Sequence, residues 1–236
     1  MIGGQAVKEI IINSAYFGIT ISILTYFISS KINSKTKLGF LNPLFITIIL
    51  IIIFLLSFRI DYEVYNSSAK YLSYLLTPAT VCLAVPLYKQ LNLLKKNIKA
   101  VVIGITVGVI TSLGSIFLMS FLLGLTHSQY ISLLPKSVTT AIGVGISEEF
   151  GGIPSITIAA IVLTGNLGNV MAVRICKLFK IKEPIAVGLA IGTSSHALGT
   201  TKALEIGEIE GAMSSLSIVV AGLLTVIFAS VFATFM

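Results

Sequence analysis

Leu134-Pro135-Lys136-Ser137-Val138-Thr139-Thr140-Ala141-Ile142-Gly143-Val144-Gly145 lies among apolar runs, yet it carries proline, hydroxyls and glycines at close intervals. Proline removes a backbone donor, and glycine and proline both interrupt helices. Hydroxyls can satisfy the backbone groups that an interruption frees. The stretch therefore reads as a broken or re-entrant element, with candidate breaks at Pro135, Gly143 and Gly145. Backbone of this kind is tolerated at membrane depth only inside protein or beside a water-filled cavity.

The surroundings say that membrane is the relevant solvent. Of 236 residues, 56% are hydrophobic and 11% charged, where a soluble domain carries roughly 25% charged residues. Mean hydropathy is +1.02. So little charge cannot cover the surface of a soluble globule. The expected class is an all-α polytopic membrane protein, one transmembrane domain over residues 1–236. Seven to eight hydrophobic segments follow from the runs at roughly 10–30, 38–58, 69–88, 98–125, 130–146, 153–179, 184–204 and 212–235. No run shows the strict alternation of a membrane barrel.

Basic residues gather between these runs, and the net charge is +7. They form no basic face interleaved with aromatics, so nucleic acid is not an expected partner. Lys31, Lys35 and Lys37 follow the first run, Lys89, Lys95, Lys96 and Lys99 the third, and Arg174, Lys177, Lys180 and Lys182 the sixth. The positive-inside rule places all three clusters in the cytoplasm. The third can join the others only if the fifth run enters and returns on one face. The alternative, that Arg174–Lys182 violates the rule, stays open. This scheme puts the N-terminus outside and the C-terminus inside. The opening residues, MIGGQAVKEI, lack the pattern of a cleaved signal peptide.

Three stretches are polar where lipid would forbid it. The first is Thr77–Pro86, with Thr80 and candidate breaks at Pro78 and Pro86. The second is Pro135–Gly152, with Ser137, Thr139 and Thr140. The third, Gly192–Lys202, holds Thr193, Ser194, His196 and Thr200 between candidate breaks at Gly192 and Gly199. Hydroxyls and exposed amides can hold a small carboxylate without burying a full charge, and a broken helix presents its N-terminal N–H groups to an anion. His196 could exchange a proton near neutral pH, and Lys202 could attract an anion to one mouth. The competing reading is packing, since serine, threonine and glycine let membrane helices approach closely. Asn166 reads equally as interhelical glue or as a site wall. A faint echo at an offset of 59 pairs Thr80, Val85, Leu87 and Lys89 with Thr139, Val144, Ile146 and Glu148. Paired interrupted segments point to a transporter's binding site, so the three stretches are expected to converge. Cys82 and Cys176 have no ligand or disulfide spacing. No enzyme, cofactor or metal motif appears.

The same stretches resemble the LrgB/CidB family of bacterial membrane proteins. The resemblance runs through Thr77-Pro78-Ala79-Thr80, Ala84-Val85-Pro86-Leu87-Tyr88-Lys89, Leu134–Thr140, Gly151-Gly152-Ile153-Pro154 and Leu163-Thr164-Gly165. It continues through Gly188-Leu189-Ala190, Gly192-Thr193, His196, Gly199-Thr200, Ala203-Leu204-Glu205, Gly207-Glu208 and Glu210-Gly211-Ala212. Family members often carry proline after the paired threonines, where this chain has Ala141. The resemblance implies a bacterial cytoplasmic membrane protein, an oligomer, acting with a small four-helix partner of the LrgA/CidA type. It also implies two rival functions: antiholin-like control of murein hydrolase activity and autolysis, or carriage of small carboxylates such as pyruvate, glycolate or glycerate. Three interrupted polar elements favour the carrier.

Overall fold

The computed structural model describes residues 14–36 and 43–236, except for the side chains at 35, 36, 45, 76, 77, 79, 80 and 83. Among the described residues every regular element is helical. Three helices, Ile98–Leu123, Pro154–Leu178 and Glu208–Phe235, are long and apolar enough to cross a membrane. The chain is a polytopic helical membrane protein. It forms two compact units, 1–82 and 83–236.

In the first unit, α1 (Phe17–Thr36), α2 (Pro43–Phe58) and α3 (Tyr62–Ala69) precede a 3₁₀ turn, Lys70–Leu75. Gly18 lets α1 approach α3. Its N–H donates to Ser68 Oγ at 2.6 Å, and a Cβ there would stand 2.7 Å from Ala69 N. Ser22 Oγ and Tyr65 OH share a hydrogen bond of 2.7 Å one turn on.

α4 (Leu76–Lys89) carries the chain into the second unit, followed by α5 (Leu91–Lys96) and α6 (Ile98–Leu123). The helix is continuous through Pro86, and Pro78 lies in its first turn, where proline's missing N–H would have had no helical partner. Neither breaks the chain, contrary to expectation. α6 buries Val101, Ile105, Val109 and Leu113, each one turn after the last, and turns Ile103, Val107, Ile110 and Leu118 outward. It stops at Gly124, whose φ of 63° only glycine adopts cheaply, with Leu125 N–H closing on Ser120 O at 3.0 Å.

The fifth hydrophobic run is two short helices, α7 (His127–Leu133) and α8 (Thr140–Glu149). Thr126 and Gln129 cap α7 reciprocally, side chain to backbone in both directions. Residues 134–139 turn tightly, with Lys136 N–H on Leu133 O at 3.1 Å and Val138 N–H on Pro135 O at 3.2 Å. Contacts give the depth. Tyr130 OH bonds Phe232 O at 2.7 Å, at the far end of the bundle from Ile98. Ser137 Oγ then meets Ser112 Oγ at 3.0 Å, near the middle of α6. Ile153 N–H returns to Ser132 Oγ at 2.7 Å. The element therefore enters and leaves on one face, as the basic clusters required. The break is at Pro135; the helix runs unbroken through Gly143 and Gly145, which corrects their assignment as breaks.

From Pro154, favoured at a helix start, α9 (Pro154–Leu178) crosses the bundle. α10 (Pro184–Ile206) holds the largest surprise. Gly188 packs on Glu210 and Met213, while Gly211 packs on Leu204. A straight helix would separate Gly188 and Leu204 by about 24 Å, yet both meet one turn of α11 (Glu208–Phe232). Gly192 and Thr200 likewise both touch Ser214. The chain doubles back at His196, whose φ of 43° and ψ of −142° leave the helical region. Gly192 and Gly199 lie inside the two arms as close-packing positions, so they too are corrected as break points.

The second unit is thus a crossing helix and a hairpin, repeated in the opposite sense, then a last crossing helix. The doubling back removes one crossing. The end of α11 beside Tyr130 falls on the face opposite Arg174–Lys182, not on the same face as expected.

Small residues set the α10–α11 distance, because helices in lipid associate by close packing rather than by hydrophobic burial. A Cβ on Gly192 would lie 2.5 Å from Ser214 O. Gly192→Val should cost about 1–3 kcal/mol and lower the detergent melting temperature by at least ~3 °C. Gly114→Ala, where nothing lies within 4 Å, should leave melting unchanged or raised. Equal behaviour of the two variants in a thermal melt would contradict this packing.

Candidate functional site

A groove of about 760 Å³ runs between α6 and the first arm of α10, and the α7–α8 break closes its inner end. Gly104 and Gly108 leave room for it. A Cβ on Gly108 would stand 3.1 Å from Thr193 Oγ1. Asn97 and Glu183 lie at the end of the groove near the start of α6. Thr111, Ser112 and Ser115 line the middle of α6, and Ser137, Thr193 and Ser194 face them. Two of the three polar stretches do converge. The side chains of Thr77 and Thr80 lie outside those described.

Not every hydroxyl in the groove can serve an anion. Thr193 Oγ1 donates to Leu189 O at 2.7 Å, Ser194 Oγ to Ala190 O at 2.7 Å, and Ser115 Oγ to Ser112 O at 2.8 Å. Their protons are committed to their own helices, so they turn lone pairs toward the groove. Thr139 is the residue before α8 and Thr140 its first residue. Neither lines the groove, though the first turn of α8 directs its N–H groups toward mid-depth.

Lys136 was not singled out as a site residue from the sequence. It lines the groove half-buried, and its Nζ donates to Ser137 Oγ at 3.0 Å. Among the described residues no carboxylate lies within ion-pair distance of it; the one such pair is Lys202–Glu205, at 2.7 Å. A lysine at the centre of a membrane helix costs about 2.5–3.5 kcal/mol on insertion scales, so such a residue marks a functional site by default. That signal was present in the sequence, as the lone charge in its run. Lys202 is held by Glu205 and does not line the groove.

His196 and Thr200 lie outside the groove. Both are buried, at 5% and 0% exposure. His196 Nε2 lies 3.0 Å from Ile161 O; a carbonyl only accepts, so the ring donates from Nε2. Gly165 provides the space, since a Cβ there would overlap the imidazole. Thr200 Oγ1 lies 2.7 Å from Ser214 Oγ. Both side chains pin the second hairpin to α9 and α11. Asn169 does the same, donating to Leu198 O at 2.7 Å and to Thr201 Oγ1 at 2.9 Å. Asn166 donates to Val162 O at 2.8 Å in its own helix, and its Oδ1 is buried without a partner.

Comparison with known proteins places these features in a wider set. The model of the LrgB-like family matches residues 22–235. Antiholin-like protein LrgB of Bacillus cereus (strain B4264) is 40% identical over 221 residues, covering 93% of this chain and 96% of the relative. Antiholin-like protein LrgB of Bacillus anthracis (strain A0248) matches to the same extent, 40% over 221 residues. No solved structure matches the chain.

The turn at His196 can be tested by strain. A left-handed backbone costs a non-glycine residue about 1–3 kcal/mol, and glycine far less. His196→Ala should melt lower than His196→Gly by ~3 °C or more, although both lose the bond to Ile161. In a straight helix the order reverses, because glycine costs about 1 kcal/mol relative to alanine. Thermal melts of the two variants decide.

Proposed function

Since the chain belongs to the LrgB-like family, with two hairpins entering from opposite faces beside a polar groove, we propose that it is a carrier of small monocarboxylates such as pyruvate or glycolate. The observation that carries this reading is the meeting at mid-depth of Ser137, on one hairpin, with the groove that Thr193 and Ser194 of the other hairpin line. A carrier needs interrupted backbone around a site near the membrane centre. A packing scaffold has no use for it. Transport is secondary, with proton coupling as its simplest driving force, and a small four-helix LrgA/CidA-like protein is the expected partner in an oligomer.

Orientation follows from charge. With Lys95–Lys99 and Arg174–Lys182 in the cytoplasm, the groove mouth at Asn97 and Glu183 opens inward. The C-terminal end of α11 then faces outside, reversing the expectation from sequence. Residues 1–13, and with them the side on which the N-terminus was expected, lie outside those described.

The relatives' name favours a second reading, antiholin-like control of murein hydrolases and autolysis. The two are compatible if autolysis responds to metabolite flux. Liposomes containing the protein, with and without the four-helix partner, should take up labelled pyruvate or glycolate saturably. Failure across a panel of such acids, with and without a pH gradient, would sink the carrier. In cells, Ser137→Val, at the inner end of the groove, should lower uptake and change autolysis together under the carrier reading. An unchanged autolysis phenotype at normal expression supports the regulator instead.

A further inference from the structure

We infer that Lys136 is the residue that binds the substrate's carboxylate, and that as the sole cation among the described lining residues of its groove it limits the substrate to one negative charge. This inference rests on the carrier reading and adds to it the group that recognises the anion. Carboxylate recognition needs donors. Thr193, Ser194 and Ser115 have already given theirs to helix carbonyls, so they suit a substrate's hydroxyl or a water better than an anion. Lys136 has three N–H donors and spends one on Ser137 Oγ. That bond continues to Ser112 at 3.0 Å, which holds the ammonium at the inner end of the groove.

Among the described residues the remaining donors have no carboxylate within ion-pair distance. Among the lining residues the ionisable groups are Lys136 and Glu183. They sit at opposite ends of the groove, Lys136 beside Ser137 at mid-depth and Glu183 at the start of the first arm. A bound monoanion neutralises the lysine and leaves the groove without net charge from that pair. A second carboxylate would find no cation, only the lone pairs of the hydroxyls and the charge of Glu183. An uncompensated charge in a low-dielectric groove is strongly disfavoured. One cation thus selects one charge. The anion could also be an anionic lipid headgroup, since the groove lies at membrane depth, and the test separates the two sources.

The full-length protein in phosphatidylcholine nanodiscs, with and without phosphatidylglycerol, is titrated with labelled pyruvate, and uptake is followed in matching liposomes. Lys136→Gln should weaken binding by about 100-fold, the scale for removing one partner of a buried charge pair. Lys136→Arg should stay within about 10-fold of wild type, and melting temperatures report whether each variant folds. Succinate should compete poorly with wild type, and well once Ser115→Lys adds a second cation. Wild-type-like pyruvate binding and uptake by folded Lys136→Gln would overturn the inference and leave the carrier standing. Binding that depends on Lys136 without any uptake would sustain the inference and remove the carrier. A Lys136 effect confined to discs with phosphatidylglycerol would assign the lysine to a headgroup. Equal competition by succinate and pyruvate in wild type would overturn the one-charge rule. Absence of both binding and uptake in wild type would overturn both claims.

Discussion

A peptide group that leaves its helix in hydrocarbon finds no water, and each unsatisfied donor or acceptor costs several kcal/mol. The second unit is arranged around that constraint. It interrupts its backbone twice, at residues 134–139 and at His196, and both interruptions are enclosed by α6, α9 and α11. Serines repeatedly act as the foreign partner. Ser132 receives Ile153 N–H, and Ser147 bonds Thr157 at 2.7 Å at the base of the first hairpin. Sheltering the breaks is what brings polar side chains to the middle of a membrane bundle.

The same constraint sorts the polar residues into two groups. His196, Thr200, Asn169 and Thr157 bond across elements and hold the hairpins in place. Ser112, Ser137, Thr193, Ser194 and Lys136 face open space. His196 and Thr200 of the first group and Ser137, Thr193 and Ser194 of the second read alike in the sequence, as polar residues in apolar runs. Only partners and exposure tell them apart.

The inverted pair of helix-and-hairpin units gives the groove two sides of opposite origin. One hairpin supplies Lys136 and Ser137, the other a rim of hydroxyls on the arm that precedes its turn. A relative called antiholin-like need not lack such a site, because control of lysis and passage of a metabolite are different levels of description.

The sequence by itself determined the membrane class and most segment positions, and it offered a re-entrant fifth run as one of two readings. Charge content, apolar run length and the placement of basic clusters are one-dimensional quantities set by the bilayer's thickness and sidedness. The resemblance carried on Leu134–Thr140 and Gly188–Ala212 was legible for the same reason, as an ordered set of motifs. The tertiary structure alone decided that Pro184–Ile206 doubles back at His196, since the glycines that marked the stretch as interrupted, Gly192 and Gly199, flank the turn and do not make it. It also decided which glycines pack rather than break, because that depends on what stands opposite them: Ser214 for Gly192, Ile161 for Gly143. Lys136 lay between the two. Its charge was readable in the chain, but that no carboxylate among the described residues comes within ion-pair distance is a fact of three-dimensional neighbours.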